Sequence, residues 1–180
     1  MAKGAVVYKA DLQVADMDRG HYADYPLIIA CHPSETEERM MIRVLAFALH
    51  ASEGTTFGRG LSSDDEPDVW VRDLTGAIDT WIDVGLPEDR LVRRACGRAR
   101  QVVVYAYGGA KLNAWWAQSR DMLMRCANLS VYSVSQQDTA ALGKMATRSM
   151  KLSCTVQDGH IWLGAGGDGV TLEPEALKRT

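Results

Sequence analysis

The chain lacks most of the features that assign a protein to a class at a glance. Its four cysteines, Cys31, Cys96, Cys126 and Cys154, are scattered without a C-x-x-C spacing. That pattern indicates neither a thiol redox pair nor a cysteine zinc cluster. Cys31 and His32 are neighbours in a strand-like run, so their side chains point to opposite faces and do not share a zinc site. No apolar run approaches the roughly 20 residues that span a bilayer. An excess of positive charge is missing too: the net charge is −3 and the pI is near 5.8. General affinity for polyanions is therefore not expected, and any phosphate contact has to come from a local patch. The absence of a G-x-S-x-G elbow and of a P-loop removes the serine-hydrolase and nucleoside-triphosphatase readings. His21, His32, His50 and His160 show no ligand spacing. Residues 1–8 carry no apolar h-region with a cleavage site, which gives the expectation of a cytoplasmic protein with reduced cysteines.

What is present suits one folded domain. Of 180 residues, 47% are hydrophobic and 24% charged, enough for a sizeable core without the charge excess of disorder. Residues 5–16 alternate, with Val6, Tyr8, Ala10, Leu12 and Val14 on one face and Lys9, Asp11 and Gln13 on the other. Asp18-Arg19-Gly20 then supplies a turn before a returning strand to Cys31, so the chain opens with a long hairpin. Ser34 and Glu37 have capping-box spacing and predict a helix over residues 34–52, with Met41, Ile42, Leu45, Ala48 and Leu49 as its apolar stripe. Glu35, Arg39 and Arg43 read as a solvent-exposed charge ladder on another face. A loop with the acidic run Asp64-Asp65-Glu66 follows, then strands over 68–73 and 77–84, a helix over 88–98 and a strand over 102–107. Further on, a helix around Trp115-Trp116, a strand over 129–134 and a helix over 138–148 lead to a closing hairpin over 150–163 that turns at Asp158-Gly159. The glycine-rich tail after Gly164 reads as loose. Helix and strand alternate centrally, which predicts an α/β layer whose mixed sheet is extended by antiparallel hairpins from both termini, unless these form a second sheet against it.

The chemistry concentrates in PDVWVRDLTGAIDTWIDVG, residues 67–85. With a turn centred on Thr75-Gly76, the register sets Asp68 opposite Asp83, Trp70 opposite Trp81 and Arg72 opposite Asp79, all on one face. Directly opposed carboxylates destabilise a sheet unless a partner such as a hard divalent cation offsets them. Glu38 lies about 20° from Leu45 on the helical wheel, inside the apolar stripe, where a carboxylate needs a partner. Asp79 and Asp83 are separated by roughly 13 Å along a regular strand, so a bulge or another turn would decide which aspartate joins Asp83. Arg90, Arg94 and Arg98 recur at i, i+4 and i+8 with Arg93 alongside, a face suited to phosphate, although a solvated face is the simpler reading. The tryptophans are better explained by packing than by base stacking, and Ser34 by capping than by nucleophilic attack.

Residues 32–41 (HPSETEERMM), the DDEP run, IDTWIDVG and ANLSV resemble the YaeQ family over nearly the whole chain. That family is associated with the PD-(D/E)xK nucleases, whose core is an αβββαβ restriction endonuclease-like unit. The resemblance implies such a domain over 1–180, with its core at about 34–107 and terminal hairpins at 5–32 and 150–163. It implies a Mg²⁺- or Mn²⁺-dependent nuclease acting on nucleic-acid phosphodiesters, with Asp83, Asp68 or Asp79, and Glu38 as catalytic metal ligands. The chain departs from that pattern where the motif lysine is expected: position 85 is Gly85. Arg94, Arg98 or Lys111 could substitute, with Arg90 completing a nucleic-acid face. Alternatively, the scaffold is catalytically degenerate and binds nucleic acid or a protein in a regulatory role.

Overall fold

The period-two run at the start becomes β1 (Val6–Asp16), which pairs antiparallel with β2 (His21–Cys31) from Val6 opposite Cys31 to Asp16 opposite His21. The computed structural model describes residues 4–180, so the first three residues of the leader reading lie outside the described residues. Tyr8, Ala10, Leu12 and Val14 are buried, as the alternation requires, and Lys9, Asp11 and Gln13 are exposed. Asp16 closes the strand as a buried carboxylate on Arg19 at 2.6 Å.

Among the described residues the fold is a mixed α/β arrangement of two mixed sheets and four helices. Contacts divide the chain into two compact units, Met1–Leu49 with Gln137–Glu173, and His50–Gln136 with Pro174–Thr180. In the first unit, β8 (Ser149–Gln157), β9 (His160–Ala165) and β10 (Asp168–Leu172) join the opening hairpin in the order β10-β9-β8-β1-β2. β1 and β8 run parallel. The predicted Asp158-Gly159 turn is present, with φ 52° and 77°. The tail is not loose. Gly164 pairs with Gly169 across β9 and β10, and a Cβ at either glycine would lie 2.3 to 2.6 Å from the Trp162 indole. These glycines make room for a packed ring, a role composition alone cannot distinguish from flexibility.

The first helix, α1 (Glu37–Leu49), packs on this sheet, burying Met40, Met41, Ile42, Val44, Leu45 and Phe47. It is shorter than predicted at both ends. Thr36, not Ser34, accepts the Arg39 amide at 3.1 Å, while Ser34 bonds the His32 ring. The expected exposed ladder is instead a buried ion group. Glu35 precedes the helix and folds back, so its side chain, 2% exposed, receives Arg39 at 2.9 Å and Arg43 at 2.7 Å. Arg43 also donates to the Ala30 carbonyl at 2.9 Å, tying the helix to β2. Burial pushes the Cys154 thiol up to about 12, in keeping with an unreactive core cysteine.

The second unit builds its sheet in the order β11-β7-β6-β5-β4-β3. β3 (Thr55–Phe57), β4 (Val69–Arg72) and β5 (Ile78–Val84) are antiparallel, and β5, β6 (Gln101–Ala106) and β7 (Leu129–Ser133) are parallel. β3 lies where a loop was expected, and the tail contributes β11 (Glu175–Lys178) beside β7. The connections through α2 (Asp89–Arg98) and α3 (Ala110–Met124) bury Trp81, Val92, Ala95, Val102, Val104, Leu123 and Leu129 together. Each large apolar side chain buried here contributes roughly 1.5–3 kcal/mol. A fourth helix, α4 (Gln136–Lys144), follows β7.

Glu35→Ala leaves Arg43 buried without its carboxylate, and stability is expected to fall by about 3–5 kcal/mol. Urea unfolding monitored by circular dichroism checks this, and a loss below about 1 kcal/mol would contradict the buried ion group.

Candidate nucleic-acid interface

The β4–β5 hairpin positions the candidate residues, and its turn sets the register. Asp73 accepts the amide of Thr75 at 2.8 Å, its hydroxyl at 2.6 Å and the Ala77 amide at 3.1 Å. Gly76, at φ 84°, completes a three-residue loop closed by Asp73 N–H to the Ala77 carbonyl at 3.0 Å. These bonds hold the Asp73 carboxyl below its ordinary value of 3.8, the Thr75 hydroxyl contributing most.

Trp70 stands opposite Trp81, as the sequence register predicted, with ring centroids 6.3 Å apart and edge to face. Past Val71 the register shifts. Arg72 pairs with Ile78 rather than with Asp79, because the closed turn ends at Ala77 and leaves one extra residue on β5. Arg72 instead lies over the Trp70 ring at 3.9 Å and donates to the Gly76 carbonyl at 3.1 Å. Asp79, the bulged residue, pairs with Arg100 at 3.3 Å and accepts the Thr80 hydroxyl at 3.1 Å.

The other acids are occupied as well. Asp68, 2% exposed, sits one residue before β4, and its Oδ2 accepts the Val84 amide at 2.8 Å. Asp83 is half-buried and accepts the Trp81 indole N–H at 3.0 Å. Glu38 does not face a sheet; it is exposed in the first turn of α1, where the helix dipole favours a carboxylate, and it belongs to the first unit. Among the described residues, no three His, Cys, Asp or Glu side chains are grouped so that they could hold a metal ion. The donor set proposed for Mg²⁺ therefore does not fit that ion in this arrangement. Gly85, where the nuclease lysine would stand, is backbone at φ 102°.

The arginine row of α2 is in contrast assembled. Arg90, Arg94 and Arg98 project from one face at successive turns, and Arg93 is exposed beside them. Arg90 bonds Glu88 at 2.8 Å and reaches Asp64 at 3.3 Å, contacts that hold its guanidinium above its usual range. Arg94 pairs with Asp65 Oδ1 at 3.1 Å and donates to the Asp64 carbonyl. Arg98 donates to the Asp65 carbonyl at 3.1 Å and lies over the Trp81 ring at 5.1 Å. Lys111 is exposed on a different helix, in the first turn of α3. Trp115 and Trp116 pack against the core, the Trp115 indole N–H on the Pro87 carbonyl at 2.9 Å. Sequence reasoning missed that the acidic run and the arginine row are partners. Their opposite charge was the available signal, but 26 or more residues separate them.

A family model, YaeQ protein, matches residues 1–174. The chain belongs to the YaeQ family. It is 42% identical to the YaeQ protein of Salmonella typhi over 179 residues, 99% of each chain. It is 44% identical to that of Escherichia coli strain K12 over 163 residues, covering 91% of this chain and 90% of the relative. The crystal structure of YaeQ from Xanthomonas axonopodis pv. citri superposes with TM-score 0.92 at 47% identity, covering 98% and 99% of the two chains. That from Pseudomonas syringae gives TM-score 0.92 at 31% identity, covering 98% and 97%. Among the described residues of this YaeQ-family chain, no helix is long and apolar enough to cross a membrane.

The depressed Asp73 carboxyl makes the hairpin turn sensitive to acid. A carboxyl whose folded value lies below its unfolded one stabilises the fold above the unfolded value, here 3.8, and that contribution is lost as pH falls through the folded value. NMR titration should place Asp73 below 3.8 and return it toward that value in Thr75→Val. An unshifted Asp73 in the wild-type protein would contradict the turn.

Proposed function

We propose that this chain is a nucleic-acid binding module on a nuclease-like scaffold whose cutting constellation has been taken apart. The element order supports the scaffold: α1, β3, β4, β5, α2 and β6 follow one another as αβββαβ, with β5 and β6 parallel. The observation that carries the binding reading is the α2 row itself. Arg90 and Arg94 each hold a carboxylate oxygen and Arg98 a carbonyl oxygen of Asp64 or Asp65 on an exposed face, so the row is already arranged to receive oxygen ligands. Arginine donors with fixed fork geometry suit phosphate, and the helical repeat spaces them about 6 Å apart along the axis. In a chain of net charge −3, such a patch confines polyanion contact to one place.

A Mg²⁺-dependent nuclease is the second reading, favoured by the same αβββαβ order and by Asp68 standing one residue before β4. It requires Asp68 or Asp79 to join Asp83 and Glu38 around a cation. Asp79 would have to leave Arg100, and Asp83 the Trp81 indole. With Gly85 in the lysine position, binding without turnover is the better-supported function.

Fluorescence anisotropy with a labelled oligonucleotide tests the binding reading. The double variant Arg94→Glu/Arg98→Glu should weaken affinity by about tenfold or more at about 50 mM salt and lower the salt slope by about two. Equal affinity in the variant and wild type would count against the α2 face. Thermal unfolding with millimolar Mg²⁺ or Mn²⁺ separates the two readings: no shift is expected for wild type or Asp83→Ala, whereas a rise in wild type alone would favour the nuclease.

A further inference from the structure

We propose that the loop over residues 60–66 is a strap that occupies the α2 arginine row as an internal mimic of phosphate, so that nucleic acid binds by displacing it. This rests on the reading of α2 as the phosphate-binding face and adds how access to that face is regulated. Two successive residues serve three successive helical turns. Asp64 offers its carboxylate to Arg90 and its carbonyl to Arg94, and Asp65 offers its carboxylate to Arg94 and its carbonyl to Arg98. A chain setting oxygens along the helix, two of carboxylates and two of peptide carbonyls, occupies the donors that a nucleic-acid backbone would use.

The strap is anchored at its base and weakly held at its tip. Below it, Gly58 N–H bonds the Asp68 carbonyl at 3.0 Å and Gly60 N–H the Pro67 carbonyl at 3.2 Å. Glu66 accepts the Arg59 amide at 3.0 Å, and Asp68 accepts the Val84 amide. The tip buries little: the Asp64 and Asp65 side chains are 64% and 79% exposed, and Leu61 is exposed as well. Its hold is therefore electrostatic. Exposed ion pairs contribute little and are screened by salt. A polyanion releases counterions when it binds and can replace them. Small anions of low charge lack that gain, so the strap would also exclude them.

The test is anisotropy of the full chain with one labelled single-stranded oligonucleotide. Asp64→Asn/Asp65→Asn removes the two carboxylates of the mimic at exposed positions where folding is not at stake. Asp11→Asn/Asp24→Asn removes the same formal charge at exposed positions of the first unit and serves as control. The expected result is affinity about fivefold or more tighter for the strap variant, with the control unchanged. Equal tightening in both variants would reflect net charge and overturn the strap. Wild-type binding that Arg94→Glu/Arg98→Glu abolishes, but that the strap variant leaves unchanged, would also overturn it while leaving the α2 reading intact. No binding by any of the proteins would overturn both.

Discussion

The register between β4 and β5 is the constraint from which the arrangement of the second unit follows. It is set by the Asp73 carboxylate, which closes a three-residue loop and leaves one residue more on β5 than on β4. The bulge at Asp79 takes up that offset, so Trp70 still meets Trp81 edge to face while Asp79 is turned out of the ladder onto Arg100. Trp81 in turn lies in the core beneath α2, where its ring underlies Arg98 and its indole N–H engages Asp83. A turn thus reaches, through one buried aromatic, to the guanidinium at the end of the arginine row.

The offset takes only Asp79 out of its predicted pairing; beyond the bulge, Asp68 and Asp83 keep their register and are engaged by local partners instead. Burying a carboxylate is costly without a partner, and each of these has been given one close by. Asp68 takes a backbone amide of β5, Asp83 an indole, Asp79 a guanidinium. The arginines of α2 have the opposite history: their partners come from an exposed loop, through contacts that solvent and salt can loosen. The carboxylates are thus held by the fold itself, and the guanidiniums of α2 by an exposed loop.

Much of the fold was legible because it rests on local periodicity. Alternation found β1, β8 and the face they bury, and the Asp158-Gly159 turn needed only residues that tolerate positive φ. What failed depended on partners distant in sequence. The parallel pairing of β1 with β8 joins residues some 140 apart and has no sequence signal. Glu35 looked like one rung of an exposed ladder because helical spacing says nothing about a residue just before the helix folding back beneath it. Glu38 looked buried because a wheel has no ends, whereas the first turn of α1 is exposed. The glycines of the tail looked flexible because composition cannot show that Trp162 lies across them. In the candidate site, the Trp70–Trp81 pair was readable and the bulge beyond it was not, since one turn residue decides it.

The central claim, that the α2 arginines exchange loop oxygens for phosphate oxygens, is tested most directly by hydrogen exchange of the backbone amides with and without a saturating oligonucleotide. The account predicts faster exchange in residues 60–66 when the oligonucleotide is bound, with β4 and β5 unchanged because the base of the loop stays anchored. Unaltered exchange in that loop, with protection appearing on some other surface, would contradict it.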